Sequence, residues 1–180
     1  MNINAGCGPI RYDGFVNVDI NPAHQPDVCQ GIIEYLGSLE PDTVDCIITI
    51  HMLEHLAYPF DTIGFLSLSR RALKPEGVLR IVVPDAMKVA ADYIYGEDDL
   101  KSVYGPGKFY YYKDCAVERF VYFMREWEHT IVFDEELLRL LAEDAGFSVV
   151  RRMPFGSSDI PALHGLDRFE SESLSLECVK

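Results

Sequence analysis

Asn2-Ile3-Asn4-Ala5-Gly6-Cys7-Gly8, followed within a few residues by Phe15-Val16-Asn17-Val18-Asp19, decides the fold. The first stretch is a short β-rich run that enters a two-glycine turn, and the second is a β-rich run that ends on an acid. Glycines let a backbone approach a ligand without a Cβ clash, and an acid at the tip of a second strand can bind both hydroxyls of a ribose. On its own a G-x-G turn is equally an ordinary turn, and Asp19 before Asn21-Pro22 is equally the start of a loop. The spacing is itself informative. Only Pro9 to Gly14 separates the glycine turn from the next strand, whereas a parallel crossover usually takes about a dozen residues. The first crossover helix is therefore expected to be missing or replaced by a tight loop.

Working outward, Val44–Ile50 and Val78–Val83 are too continuously apolar for half-exposed edges and predict buried strands of a parallel sheet. Between them, Phe60 to Leu73 carries Ile63, Leu66 and Leu73 at helical spacing and stops at Lys74-Pro75-Glu76-Gly77, which gives a strand–helix–strand unit. Asp134 can cap a helix with Glu135 and Glu136 in its first turn, Leu137, Leu138, Leu141 and Ala145 on its apolar face, and Gly146 at its end. Phe147–Val150 and Leu174–Val179 supply two more strands. This alternation predicts an open, mostly parallel, Rossmann-like α/β sheet with ligands at the carboxyl ends of its strands.

Residues 86–128 hold about half of the chain's aromatic residues. Val117, Phe120, Val121 and Met124 follow a helical period behind a potential Asp114 cap, and Tyr104-Gly-Pro-Gly-Lys108 reads as a loop. The region is a helical insertion that packs into the core, a lid over a substrate, or a homodimer surface. With 180 residues the chain fits one domain, 1–180. A formal net charge of −13 argues against a general nucleic-acid or anionic-membrane binder. No apolar run approaches the roughly 20 residues of a bilayer span, and Met1–Ile10 has neither a basic start nor an apolar signal region. Five scattered cysteines without a C-x-x-C pair point to a reducing cytoplasm, with Cys29, Cys46 and Cys178 read as small buried hydrophobes.

The ordered set N-I-N-A-G-C-G, V-N-V-D-I, T-V-D-C-I-I-T-I-H-M-L-E-H-L, A-L-K-P-E-G-V-L-R-I-V-V-P-D and F-D-E-E-L-L-R-L-L-A-E-D-A-G-F, with E-S-L-S-L-E-C-V-K at the end, resembles the class I S-adenosylmethionine-dependent methyltransferases. The closest likeness is to compact methyltransferases associated with polysaccharide biosynthesis, and it covers nearly all of the chain. The resemblance implies S-adenosylmethionine as cofactor. Ala5, Gly6, Cys7 and Gly8 would line its methionine part, Asp19 would take the ribose hydroxyls with Ile20 near the adenine, and Ile50, His51 and Leu53 would border the methyl-transfer site. It departs from the family pattern at Gly31, where many relatives carry an aspartate, and at Glu76, which replaces the first glycine of a K-P-G-G turn.

His51-Met52-Leu53-Glu54-His55 also matches H-x-x-E-H, the inverted zinc-peptidase pattern. A metal hydrolase is thus a rival, as is a non-catalytic interaction module of the same fold. The stretch is similar, too, to small-RNA methyltransferases in which such acids and histidines hold a divalent metal, with His129 able to complete the set. The favoured reading assigns no metal: Glu54 and His55 support the loop. It is an S-adenosylmethionine-dependent enzyme acting on a small polar acceptor, a sugar or glycan intermediate being what the resemblance implies. His51, Asp85 and His129 are the candidates for catalysis, His51 first because an imidazole titrates near neutrality. Tyr110, Tyr111 and Tyr112 are the candidates for substrate contact. His24 and His164 read as surface residues.

Overall fold

The computed structural model describes residues 1–96 and 115–180. In these, β1 (Asn2–Ala5), β2 (Phe15–Asp19), β3 (Val28–Cys29), β4 (Val44–Ile50), β5 (Leu73–Pro84), β6 (Val149–Arg152) and β7 (Ser173–Val179) form one sheet in the order β3-β2-β1-β4-β5-β7-β6. Strands β1 to β5 pair in parallel, and β7 runs antiparallel to both β5 and β6. The order reverses between β1 and β4, so a crevice opens at their carboxyl ends.

No helix links β1 to β2. The connection is held instead by two buried asparagines: Asn17 Oδ1 accepts from the Tyr12 amide at 2.9 Å and from Asn4 Nδ2 at 3.0 Å, and Asn4 Nδ2 also donates to the Ile10 carbonyl. Side-chain amides thus take over the backbone pairing that a helix would have supplied. The two faces of the sheet differ as a result. One is covered by α1 (Ile32–Ser38), α2 (Phe60–Ala72) and α5 (Glu135–Asp144) over a core that includes Ile3, Val18, Ile47, Phe65, Leu79, Leu138 and Leu176. The other packs Cys46, Ile48 and Val78 beneath Tyr12, Leu163 and neighbouring loop residues.

Several boundaries move. The buried stripe of α2 is Thr62, Phe65, Leu66, Ser69 and Ala72, and Ile63 is exposed. Leu73 is already extended, so β5 begins before the apolar run, with a break in register against β4 between Val44 and Cys46. β6 starts at Val149 rather than Phe147, because Phe147 turns into the core after Gly146. The Asp134 cap forms as expected, with Oδ1 accepting from the Leu137 amide.

Residues 86–128 contribute α3 (Ala86–Tyr95) and α4 (Ala116–Arg125), which pack together. Of the expected apolar face of α4, Phe120 is half-buried and packs with Val89 and Phe123, but Val117, Val121 and Met124 are exposed, and Arg119, Tyr122 and Phe123 turn inward. The cause is Asp92 on α3, buried itself, which accepts from Arg119 Nε at 2.9 Å and draws that face of α4 against it. Asp114, the Tyr104–Lys108 loop and Tyr110, Tyr111 and Tyr112 lie outside the described residues. All five cysteines are free; Cys46 and Cys178 are buried as expected, whereas Cys29 is exposed on the short edge strand β3. Among the described residues no helix is long and apolar enough to cross a membrane.

Candidate active site

The glycine turn follows β1 directly. Gly6 and Gly8 both have positive φ, 68° and 55°, and the Gly6 and Cys7 amides both donate to the Val18 carbonyl, which clamps the turn against β2. A Cβ on Gly6 would stand 2.2 Å from Met52 Cγ, so only glycine fits there; around Gly8 a Cβ would meet nothing within 4 Å. At the end of β2, Asp19 Oδ2 accepts from the Gly8 amide at 2.8 Å and Oδ1 from the Asn21 amide at 2.8 Å. His24 Nδ1 lies 3.1 Å from Asp19 Oδ1, too poorly aligned for a hydrogen bond but close enough to pair when charged. His24 is therefore half-buried beside this acid, while His164 is exposed.

Two clefts meet at Gly6. One, of about 270 Å³, is lined by Asp19, Ile20, Gln30, Gly31, Ile32, Met52, His55 and Leu56 among others. The second, of about 230 Å³, is lined by Cys7, Gly8, Tyr12, Ile50, His51, Arg168 and Phe169 with four neighbours. Of the residues expected at the cofactor, Gly6, Cys7, Gly8, Asp19, Ile20, Ile50 and His51 line these clefts. Ala5 and Leu53 are wholly buried and line neither. Met52 borders the cleft where Leu53 was expected, since Leu53 turns into the core. Burial, then the nearby Asp19 carboxylate, pushes the Cys7 thiol up to about 11, which keeps it from being a nucleophile.

His51 ends β4 with φ of 49°, a left-handed conformation unusual for a residue with a Cβ. Its Nε2 is 2.8 Å from Ser173 Oγ, and its ring lies 4.6 Å from that of Phe169. Burial, reinforced by His129 and His55, lowers its pKa to about 3. The expectation of titration near neutrality is thus corrected: the imidazole is neutral across the whole neutral range. Asp85, buried at the end of β5, caps α3 by accepting from the Met87 amide at 2.9 Å, and its other oxygen is 3.4 Å from Arg152. It lines neither cleft, because its carboxylate serves the helix start. His129 is brought to the site's edge, its Nδ1 2.9 Å from the Phe123 carbonyl and its ring 5.1 Å from that of His55.

The H-x-x-E-H zinc-peptidase arrangement does not form. Leu53–His55 is a single 3₁₀ turn rather than a helix, and His51 points to Ser173, away from a shared ligand position. Glu54, His55 and His129 do come together, with one ligand atom of each within 4.8 Å of the others. Glu54 is buried, neither of its oxygens has a hydrogen-bond partner, and burial raises its pKa to about 8.

The sequence profile of the methyltransferase domain family matches residues 6–152, and the chain belongs to that family. No curated protein sequence matches it. Among solved structures, an S-adenosylmethionine-dependent methyltransferase from Archaeoglobus fulgidus aligns with a TM-score of 0.62 at 18% identity, over 99% of this chain and 85% of the other. A possible histamine N-methyltransferase from Thermotoga maritima aligns at 0.53 and 16% identity, over 99% and 81%. The 1,6-didemethyltoxoflavin-N1-methyltransferase of Burkholderia thailandensis, solved with its substrate and S-adenosylhomocysteine, aligns at 0.53 and 19%, over 99% and 70%. By family and fold the protein is an S-adenosylmethionine-dependent methyltransferase. The residues present fit that cofactor: Gly6 lines both clefts, and Asp19, at the end of β2, accepts one backbone amide on each oxygen and keeps a lone pair on Oδ2 to spare.

Proposed function

We propose that this protein transfers a methyl group from S-adenosylmethionine to a small polar acceptor, and that the acceptor is a sugar or sugar-containing intermediate in a cytoplasmic biosynthesis. The observation that carries the reading is the pair of clefts meeting at Gly6, with Asp19 in one and His51 in the other. The cofactor supplies a methyl group on a positively charged sulfur, already activated, so the chain has chiefly to position and to exclude water. Asp19 holds the ribose hydroxyls, and Ile20 with Ile32 offers apolar surface to the adenine. His51, neutral and fixed by Ser173, orients the acceptor hydroxyl; with a pKa of about 3 it does not keep the proton, which passes on to solvent. Residues 86–128 act as the acceptor lid, with Tyr110, Tyr111 and Tyr112 at the acceptor. The ends of that region support this, since α3 begins at the carboxyl end of β5 and α4 leads directly to His129.

Calorimetric titration with S-adenosylmethionine and S-adenosylhomocysteine, followed by transfer of labelled methyl to a panel of sugar phosphates and glycosides, tests the reading. Binding of both with labelling of a sugar supports it; binding without labelling of any sugar removes the acceptor class, and absence of binding favours the interaction module. Single alanine substitutions at Tyr110, Tyr111 and Tyr112 are expected to raise KM or lower kcat for the acceptor in at least one case, with cofactor affinity within about threefold, under ~1 kcal/mol. If turnover is unchanged and the protein passes from dimer to monomer, the region is an assembly surface.

One observation favours a metal-assisted form of the same reaction. The buried side chain of Glu54, without a hydrogen-bond partner and 4.0 Å from His55 Nε2, lies with two imidazoles, a donor set that suits a divalent transition-metal ion. Exhaustive chelation is expected to leave transfer intact if the trio only supports the loop. Activity lost on chelation and restored by a divalent ion would establish the metal-assisted form.

A further inference from the structure

The loss of the first crossover helix removes the usual cation-like feature behind a glycine turn, the helix N-terminus that faces a ligand's negative charge. The cleft on the Gly8 side nevertheless contains one full positive charge. Arg168 is the only cationic side chain among its lining residues; none of them is acidic, and His51 is neutral. In a chain of net charge −13, this guanidinium has no carboxylate within ion-pair distance among the described residues.

The segment that carries Arg168 is fixed residue by residue. Tyr12 Oη donates to the Leu166 carbonyl at 2.7 Å. Asp167 is wholly buried and accepts from Arg80 Nε, the Gly156 amide and Ser175 Oγ. The Arg168 carbonyl accepts from Ser173 Oγ, the hydroxyl that also meets His51 Nε2. The guanidinium itself lies 6.0 Å from the centre of the Tyr12 ring, within the range of a cation–π contact. A buried polar scaffold thus holds an arginine on a cleft that has no other charged side chain among its lining residues and that opens onto Gly6.

We infer that Arg168 holds the α-carboxylate of the cofactor's methionine end, replacing the helix N-terminus that this chain lacks. The inference rests on the cofactor reading of the site. With the adenosine on the Asp19 side of Gly6, the amino-acid end extends into the cleft that Arg168 borders, where a guanidinium matches a carboxylate in charge and planar geometry. An anionic group on the acceptor is the other source of the same chemistry.

Titrating the protein, Arg168→Ala and Arg168→Lys with S-adenosylhomocysteine and with 5′-methylthioadenosine separates these sources. The second ligand keeps the adenosyl and sulfur portion but has no amino or carboxyl group. Arg168→Ala is expected to weaken S-adenosylhomocysteine at least tenfold, about 1.4 kcal/mol, and methylthioadenosine less than twofold, with Arg168→Lys in between and Tm unchanged. Equal losses for both ligands would show that Arg168 only supports the loop, and no loss for either would assign it to the acceptor; each overturns the inference. If the unsubstituted protein binds neither ligand, the cofactor reading fails first and the inference falls with it.

Discussion

Gly6 and Gly8 share a positive φ but differ in what surrounds them, and the difference separates fold from function at the level of single residues. Gly6→Ala forces a Cβ into Met52 and places alanine in a left-handed conformation that costs about 1–2 kcal/mol by itself. It is expected to lower the urea midpoint and to abolish cofactor binding. Gly8→Val meets open space but carries the same left-handed strain on a β-branched residue, so it is expected to lower the urea midpoint as well as cofactor affinity, without the added clash, the affinity being measured by calorimetry on protein that still unfolds cooperatively. If Asp19 holds the ribose hydroxyls as proposed, Asp19→Ala should weaken S-adenosylmethionine by roughly 1.5–3 kcal/mol. Affinity unchanged in the folded variant would remove Asp19 from the site. The glycines and Asp19 were legible because each stands at a strand end, where the sequence pattern itself marks the position. The state of His51 was not, since its depressed pKa arises from burial and from His129 and His55, and these neighbours arrive through the fold.

The β1–β2 connection is the element in which this chain departs furthest from an ordinary strand–helix–strand unit. Its shortness was readable from spacing; its means of support was not, because nothing in the sequence around Asn4 and Asn17 announces that their amides replace a helix. Asn17 Nδ2 donates to Asp27 Oδ2 at 2.8 Å, and the Asn17 amide does so at 2.9 Å. These bonds, first the backbone and then the side-chain one, hold the Asp27 carboxyl below its ordinary value of 3.8. A carboxyl whose folded pKa is depressed contributes stability that is present above its unfolded value and lost as pH falls through the folded one. Asn17→Ala removes only the side-chain bond and keeps the backbone one, so it is expected to flatten in part the decline of stability on acidification below about pH 4, besides destabilising the connection at neutral pH. Equally steep acid unfolding profiles for the two proteins would mean that the Asn17 side chain adds nothing to the depression of Asp27, and Asp27→Asn, which removes the titrating group, would then test the carboxyl itself. A similar limit applied to α4: helical period located the helix, but Asp92 on another element decided which face turned inward.

For the molecule as a whole, the decisive asymmetry is between a sheet face covered by helices and one covered by loops. The second face cannot be closed by apolar packing alone, and it contains a wholly buried Arg80 between Asp167 and Glu177, both also buried. Arg80 projects from the middle of β5, within the run read from sequence as continuously apolar, so this network was invisible until the loop of residues 153–172 folded over it. Removing one member of a buried ionic network commonly costs about 3–5 kcal/mol, because the remaining charges lose their partner without regaining water. Arg80→Leu leaves Asp167 buried without its counter-charge, while Glu177 keeps Arg151 at 3.3 Å, and it is expected to lower unfolding free energy by that order. Asp167→Asn is the more informative change, since it keeps the side chain's size and leaves Arg80 paired with Glu177. It should retain the fold while loosening the segment that presents Arg168. The expected result is a selective loss of affinity for S-adenosylhomocysteine over 5′-methylthioadenosine, smaller than that of Arg168→Ala and not additive with it in the double variant. Full additivity would show that the buried network and the cleft are independent, and that the loop-covered face serves stability alone.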